Sequence, residues 1–366
     1  MKTKRIPKWD NVKFILMVFV VVGHMLAYYT EDSLPIKGLY LFIYSFHMPA
    51  FVFVSGMMMK KTVNERRYDR IVSYLILGFL IKVVSAAAKS AVSGDRFEIE
   101  LFNETTIAWY AFAMFVFAIA AILLSKFGKA QVLIIAMLVG IFAGYDRSVG
   151  TFLSISRIFT FSPFFFAGLY IDNDSLLDFS KKIWAKIVSA AVLIAVGIVC
   201  FVKTDELYWL IEILKGKHPY RQLEYIKDLG GLLRAGHYLI GFALVFAIII
   251  LVPNIKSFLT TVGSRTLSIY VFHIALIYIA RDAIKIDDLL KSIGGPNWEW
   301  LTIIVALIIV FIAAVKPLNM LVNLLINPKR VKAAADGGKT SAEIEAQTEK
   351  TPQPLEKTAE EVKEEK

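Results

Sequence analysis

The stretch from Trp9 to Gly56 reads WDNVKFILMVFVVVGHMLAYY (9–29), then a short polar break, then LYLFIYSFHMPAFVFVSG (39–56). Each apolar run is close to the length of about 20 mostly apolar residues that a helix needs to cross a bilayer. Each also carries one histidine, His24 in the first and His47 in the second. An ionisable side chain inside such a run is costly, so it marks either a functional site or a polar packing contact between helices. A helix rises about 1.5 Å per residue, which puts His24 roughly 18 Å along a first span that starts at Val12. His47 lies roughly 12 Å into a second span that runs back from Leu39. The two imidazoles therefore come out at nearly one depth, in the half of the membrane away from the N-terminus.

The rest of the chain extends this pattern. It has 366 residues and is 57% hydrophobic, whereas a soluble domain is about 45–50% apolar. The excess is gathered in long runs, so the fold class is all-α, a polytopic transmembrane helical bundle. About ten spanning helices are expected, over 12–29, 39–59, 71–88, 107–125, 131–145, 152–171, 184–202, 235–251, 266–282 and 300–326. The last contains Lys316-Pro317 and is expected to kink there. The start, MKTKRIPKWDN, is basic, but no small-residue cleavage site follows the first apolar run, which is therefore read as a retained span. Asp10 precedes that span and is read as a cap.

The net charge of +10 would suggest nucleic acid in a soluble protein. Here the basic residues flank apolar runs, which fits membrane orientation instead. The cluster Lys60, Lys61, Arg66, Arg67 and Arg70, with the even span count, predicts N-in/C-in topology. Residues 1–332 form the transmembrane domain. Residues 333–366 are rich in Ala, Glu, Lys, Thr and Pro, and are expected to be a disordered, charged cytoplasmic tail. The segment 203–233 is mixed in charge and aromatic. It is either an amphipathic piece lying over the mouth of the bundle or a solvated linker.

Several chemistries are excluded. A single cysteine, Cys200, permits no intrachain disulfide and no cysteine metal cluster. No Walker or Rossmann glycine loop is present, so ATP-driven transport has no support. His and carboxylates do not cluster at metal-ligand spacing, so the expected metal is none. Acidic residues are scarce within the spans, which counts against a proton-coupled relay.

Further positions can carry chemistry. Arg157 lies about 8 Å into the sixth span from the outer side, near the depth of the two histidines. It needs a carboxylate, a carbonyl or a substrate group there, unless it snorkels to the headgroups. Arg66 or Arg67 shares a helix face with Arg70. Their guanidinium groups suit phosphate, although positive-inside anchoring also explains them. His273 lies about 11 Å in from the inner face. Arg234 and His237 open the eighth span close enough to the surface for exposure to explain them.

At these residues the chain resembles the acyltransferase-3 family of bacterial integral-membrane acyltransferases. The matching pieces are DNVKFILMVFVVVGH (10–24), FHMPAFVFVSG (46–56), RRYDR (66–70), RIFTFSPFFFAG (157–168) and SRTLSIYVFH (264–273). Together they run through the whole membrane part in order, and the branch they look most like contains fucose 4-O-acetylase-like enzymes and exopolysaccharide O-acyltransferases. One departure is Ser73-Tyr74, where many relatives have Pro-Tyr. The chain also lacks the soluble esterase-like domain fused to some members.

The resemblance implies about ten core helices. It also implies transfer of an acyl group, usually acetyl, from cytoplasmic acyl-CoA to a hydroxyl of a cell-surface or exported glycan. His24 matches the family's first-span histidine, and Arg66 to Arg70 match its arginine motif. On this reading His24, His47 and Arg157 are catalytic, and Arg66, Arg67, Arg70 and His273 bind the acyl-CoA donor, a substrate and not a tightly held cofactor. The expected partners are acyl-CoA, a glycan or glycolipid acceptor and the lipid bilayer, with no nucleic acid. The expected location is the bacterial plasma membrane. The alternative is a transporter or flippase of a lipid-linked or exported saccharide, which needs a polar bundle interior but no acyl-CoA.

Overall fold

The opening stretch forms two helices that the others enclose. In the computed structural model, which describes residues 5–94, 96–103 and 106–327, these are α1 (Pro7–Leu26) and α2 (Leu34–Asn64). In each, 72% of the most apolar window is buried, the highest share among the candidate membrane spans. Then follow α3 (Tyr68–Ser93), α4 (Trp109–Leu123), α5 (Lys129–Phe142) and α6 (Ile155–Tyr170). A short α7 (Asn173–Phe179) leads to α8 (Ile183–Val202). The segment after α8 carries two short turns, α9 (Thr204–Leu207) and α10 (Ile211–Lys215). The chain then returns through α11 (Gly230–Leu251), α12 (Phe258–Gly263) and α13 (Thr266–Tyr278). It ends with α14 (Ile286–Gly294), α15 (Leu301–Ala313) and α16 (Lys316–Leu325). Among the described residues there is no strand, only an isolated bridge between Asn103 and Phe152.

Among the described residues, eight helical segments are long and apolar enough to cross a membrane. The expected spans at 131–145 and 152–171 come out as α5 and α6, of 14 and 16 residues. At about 1.5 Å per residue these are roughly 21 and 24 Å long, short of a ~30 Å hydrocarbon core. The expected tail, 333–366, lies outside the described residues.

Sequence accounts for the main breaks. Gly94 ends α3 in the left-handed region, at φ 74°, a backbone conformation that residues with a side chain rarely adopt. Asp172 caps α7 by accepting from the Ser175 amide at 2.8 Å. The tenth expected span does break at its proline: α15 stops at Ala313, Val315 is extended, and Pro317 stands in the first turn of α16. Proline lacks the N–H an unbroken helix would need, and the Ala314 carbonyl freed there accepts from Arg265 Nη1 at 2.9 Å instead.

The bundle is held by close approaches between helices. A Cβ at Gly168 would stand 1.9 Å from the Phe53 carbonyl oxygen, and one at Gly56 would stand 2.2 Å from that of Phe165. Glycine at both positions lets α2 and α6 pack backbone to backbone, the device by which membrane helices associate without a hydrophobic driving force. The start of α1 is clamped to the end of α11. Lys8 Nζ donates to the Val252 carbonyl at 2.7 Å, and Asn11 Nδ2 donates to those of Pro253 and Ile255 at 3.0 and 2.8 Å. Asp10 lies in the first turn of α1, which begins at Pro7. It pairs with Arg5 at 2.5 Å and Lys13 at 2.9 Å, in place of the cap expected there. At the other extreme, only 17% of the α8 window is buried, and Ile187, Ile194 and Ile198 face outward. Such an apolar face has lipid as its natural neighbour.

Candidate active site

The ends of several helices leave a polar cavity of about 680 Å³. It lies where α1, α3 and α13 finish and α2, α4 and α6 begin. That volume falls within the about 300–1,000 Å³ typical of small-molecule sites. His24, His47 and Arg157 all line it. The depth arithmetic that placed the two histidines level is thus matched by a shared space, and α6 brings Arg157 to the same wall.

Each of the three is held differently. His47 sits on α2 one turn past Ile43, and its Nδ1 lies 2.8 Å from the Ile43 carbonyl oxygen. A carbonyl only accepts, so Nδ1 carries the proton and Nε2 keeps its lone pair. The Tyr44 ring stands edge-on to the His47 ring at 4.6 Å. Arg157 stacks over Trp109, its guanidinium carbon 5.2 Å from the ring centroid, with a long 3.5 Å contact to the Thr106 carbonyl. This stacking holds a planar cation at the cavity wall. His24 stands near the C-terminal end of α1, with its ring 5.4 Å from that of His273.

The four residues expected at the donor do not stand together. Arg66, Arg67 and Arg70 are at the junction of α2 and α3, with Arg66 and Arg70 exposed and Arg67 3.7 Å from Asp69. They do not line this cavity. Arg66 is 19 residues beyond His47 along the chain, roughly 28 Å at the helical rise. Arg66 also holds a left-handed φ of 47°, which marks the sharp turn between the two helices. His273 is fully buried beside His24, at the other end of the bundle from the arginines.

The segment 203–229 is a cap. Glu212, Leu214, Lys215, Lys217 and His218 line the cavity mouth. Ser156 Oγ donates to the Gly216 carbonyl at 2.8 Å, next to Arg157. Lys215 Nζ lies 5.6 and 5.8 Å from the ring centroids of Tyr40 and Tyr44, within cation–π range. Burial pushes the Lys215 ammonium below its ordinary value, with Glu212 opposing the shift and Arg157 adding to it. Burial also lowers Lys217 and His218. Arg157 adds to the first, and Lys217 adds to the second. None of these cap residues stood out in the sequence, because their role depends on where the segment folds.

The cap also changes the standing of Arg234 and His237. Expected near the surface, they are 2% and 5% exposed. Arg234 Nη1 donates to the Ile213 carbonyl and to His237 Nδ1, at 2.5 and 3.0 Å. The physical reason is the fold of 203–229, which returns over the start of α11 and covers both.

A bundle of apolar helices with a histidine-bearing polar cavity sunk into one end defines a multi-pass membrane protein built around a chemical site. Residues 6–316 match the model of the acyltransferase-3 family, described as an acyltransferase domain. The chain belongs to that family, and it is an enzyme that transfers acyl groups. No curated protein and no solved structure matches it.

Proposed function

We propose that the protein moves an acetyl group from cytoplasmic acetyl-CoA to a hydroxyl of a cell-surface or exported glycan, in the bacterial plasma membrane with both termini in the cytoplasm. The observation that carries this reading is the convergence of His24, His47 and Arg157, from three helices, on one cavity.

His24 is the general base. It takes the proton of the acceptor hydroxyl as that oxygen attacks the thioester carbonyl. The tetrahedral intermediate then collapses, the carbon–sulfur bond breaks, and the coenzyme A sulfur takes the proton back from His24. The products are the ester and free coenzyme A, with no covalent enzyme intermediate. A base within hydrogen-bond reach is sufficient for this step and contributes about 10²–10⁴-fold. Arg157 and His47 face the same space and can receive the charge that develops on the carbonyl oxygen. Arg66, Arg67 and Arg70 hold the coenzyme A phosphates at the opposite end, and the pantetheine arm extends from there toward His24. The glycan branch of the family, suggested by the same sequence pieces, supplies the acceptor class.

The test is His24→Gln in cells, with alkali-labile acetate measured on the envelope glycan. Glutamine keeps bulk and some hydrogen bonding but cannot accept and return the proton. The expected result is normal insertion with transfer reduced by about 10²-fold or more. A variant that keeps most of its activity overturns the assignment.

A further inference from the structure

His273, like His47, is a buried imidazole whose neighbours prescribe its proton. Its Nδ1 lies 2.9 Å from the Ile269 carbonyl oxygen and 3.0 Å from that of Tyr270. Both are acceptors, so Nδ1 bears the hydrogen and Nε2 presents a bare lone pair. That Nε2 is fully buried and has no hydrogen-bond partner. The ring is held in place as well, stacked 6.3 Å from that of Tyr270, whose hydroxyl is anchored on the Ile107 carbonyl. A buried acceptor left without a donor is costly, so native structures rarely leave one. The neighbouring ring is that of His24, 5.4 Å away between centroids.

We infer that His273 is a positioning residue for His24: its bare Nε2 takes the N–H of the His24 ring, fixing that ring's tautomer so that the other nitrogen faces the cavity as a lone pair. The pair works as a relay of orientation, in which one imidazole is locked by backbone carbonyls and in turn locks the next. The role usually filled by a carboxylate behind a catalytic histidine is filled here by a neutral ring. When His24 takes the acceptor proton, its cationic form keeps a buried acceptor at its back. His273 touches neither substrate, and it is not a donor-binding residue.

This inference rests on the reading of His24 as the base, and the experiment separates the two. The first measurement needs no substrate: nitrogen-15 chemical shifts of the histidine rings in the intact protein, assigned by single substitutions. The expected result is one His24 tautomer in the wild type and a mixture of both in His273→Leu. A mixture already present in the wild type overturns the inference. The second is transfer from acetyl-CoA to envelope glycan in membrane vesicles, with acetyl-CoA varied. His273→Leu, which has no acceptor, is expected to lower kcat by about 10- to 100-fold, less than or equal to the general-base contribution of about 10²–10⁴-fold, with KM for acetyl-CoA unchanged. His273→Gln retains an acceptor oxygen and is expected to recover most of the loss. Equal activity of the Leu and Gln variants, or a change in KM alone, overturns the positioning role. If His24→Gln keeps its activity, the base assignment itself fails. If His24→Gln is inactive while His273→Leu is fully active, only the present inference fails.

Discussion

Arg234 donates from Nη1 to the carbonyl oxygen of Ile213 at 2.5 Å, and so fastens the cap over the cavity to the helix beneath it. The same nitrogen also meets His237 Nδ1. Hydrogen bonds to a charged group contribute about 1.5–3 kcal/mol, and stranding a buried acceptor costs a further 1–3 kcal/mol or so. Arg234→Met is therefore expected to loosen residues 211–218 before it unfolds the bundle. Limited proteolysis in detergent checks this: cleavage within the cap should quicken in Arg234→Met, and less so in Arg234→Lys.

The contact between α2 and α6 predicts a stability effect of opposite size at two glycines. Gly168→Ala sets a methyl group 1.9 Å from the Phe53 carbonyl oxygen, whereas the nearest atom to a Cβ at Gly197 is 3.9 Å away. Overpacking at a backbone contact costs about 1–3 kcal/mol or more. Thermal unfolding should show a clear loss for Gly168→Ala. Gly197→Ala should be neutral or slightly stabilising, since alanine is the better helix former.

Donor binding is expected to weaken when the arginines at the turn between α2 and α3 are removed. Arg66 and Arg70 are exposed, so a triple alanine variant should fold normally. Binding of a non-hydrolysable coenzyme A analogue to the purified protein should fall at least about tenfold, which corresponds to 1.4 kcal/mol. Unchanged affinity would leave these residues as membrane anchors.

The cap should respond to pH through His218. Burial lowers its folded-state pKa, and Lys217 adds to the shift. The unfolded segment titrates near the ordinary value of about 6.5. Below that pH the unfolded form binds the proton first, so stability is lost as pH falls from about 6.5 toward the lowered folded value, and is unaffected above it. Hydrogen exchange of residues 211–218 should speed up across this window. His218→Gln should flatten the response.

The path of α3 can be read by labelling. In a Cys200→Ser background, single cysteines at Asn64 and Ser93 flank the helix. A membrane-impermeant thiol reagent should reach them from opposite sides. Labelling of both from one side would contradict a spanning α3.

The sequence carried the parts of this protein that depend on one helix at a time. His24 and His47 stood out because ionisable residues are rare in apolar runs, and the rise per residue placed them level before any packing was known. The break at Pro317 was equally local. What remained hidden depends on which faces meet. Counting along α13 set His273 about 11 Å from the inner face, short of the depth of His24, whereas the fold brings the two rings to 5.4 Å. Arg234 and His237 looked superficial because the cover over them comes from 203–229, a segment whose path is set by tertiary contacts such as Ser156 with Gly216. The length of α6 was overestimated for a related reason: the expected span reached back to residue 152, past the turn that precedes Ile155.

The clamp between α1 and the end of α11 bears on how the chain is made. Lys8 and Asn11 bond to residues 242–246 positions later, and Gly263 of α12 packs on the Asp10 carbonyl. Helices that insert early must therefore wait in the bilayer for their final partners, and long-range pairings of this kind form slowly. During synthesis, α1 leaves the ribosome well before these partners and is among the last helices to be sealed. Until residue 263 has emerged, its buried lysine, asparagine and aspartate remain open to whatever quality control patrols the membrane.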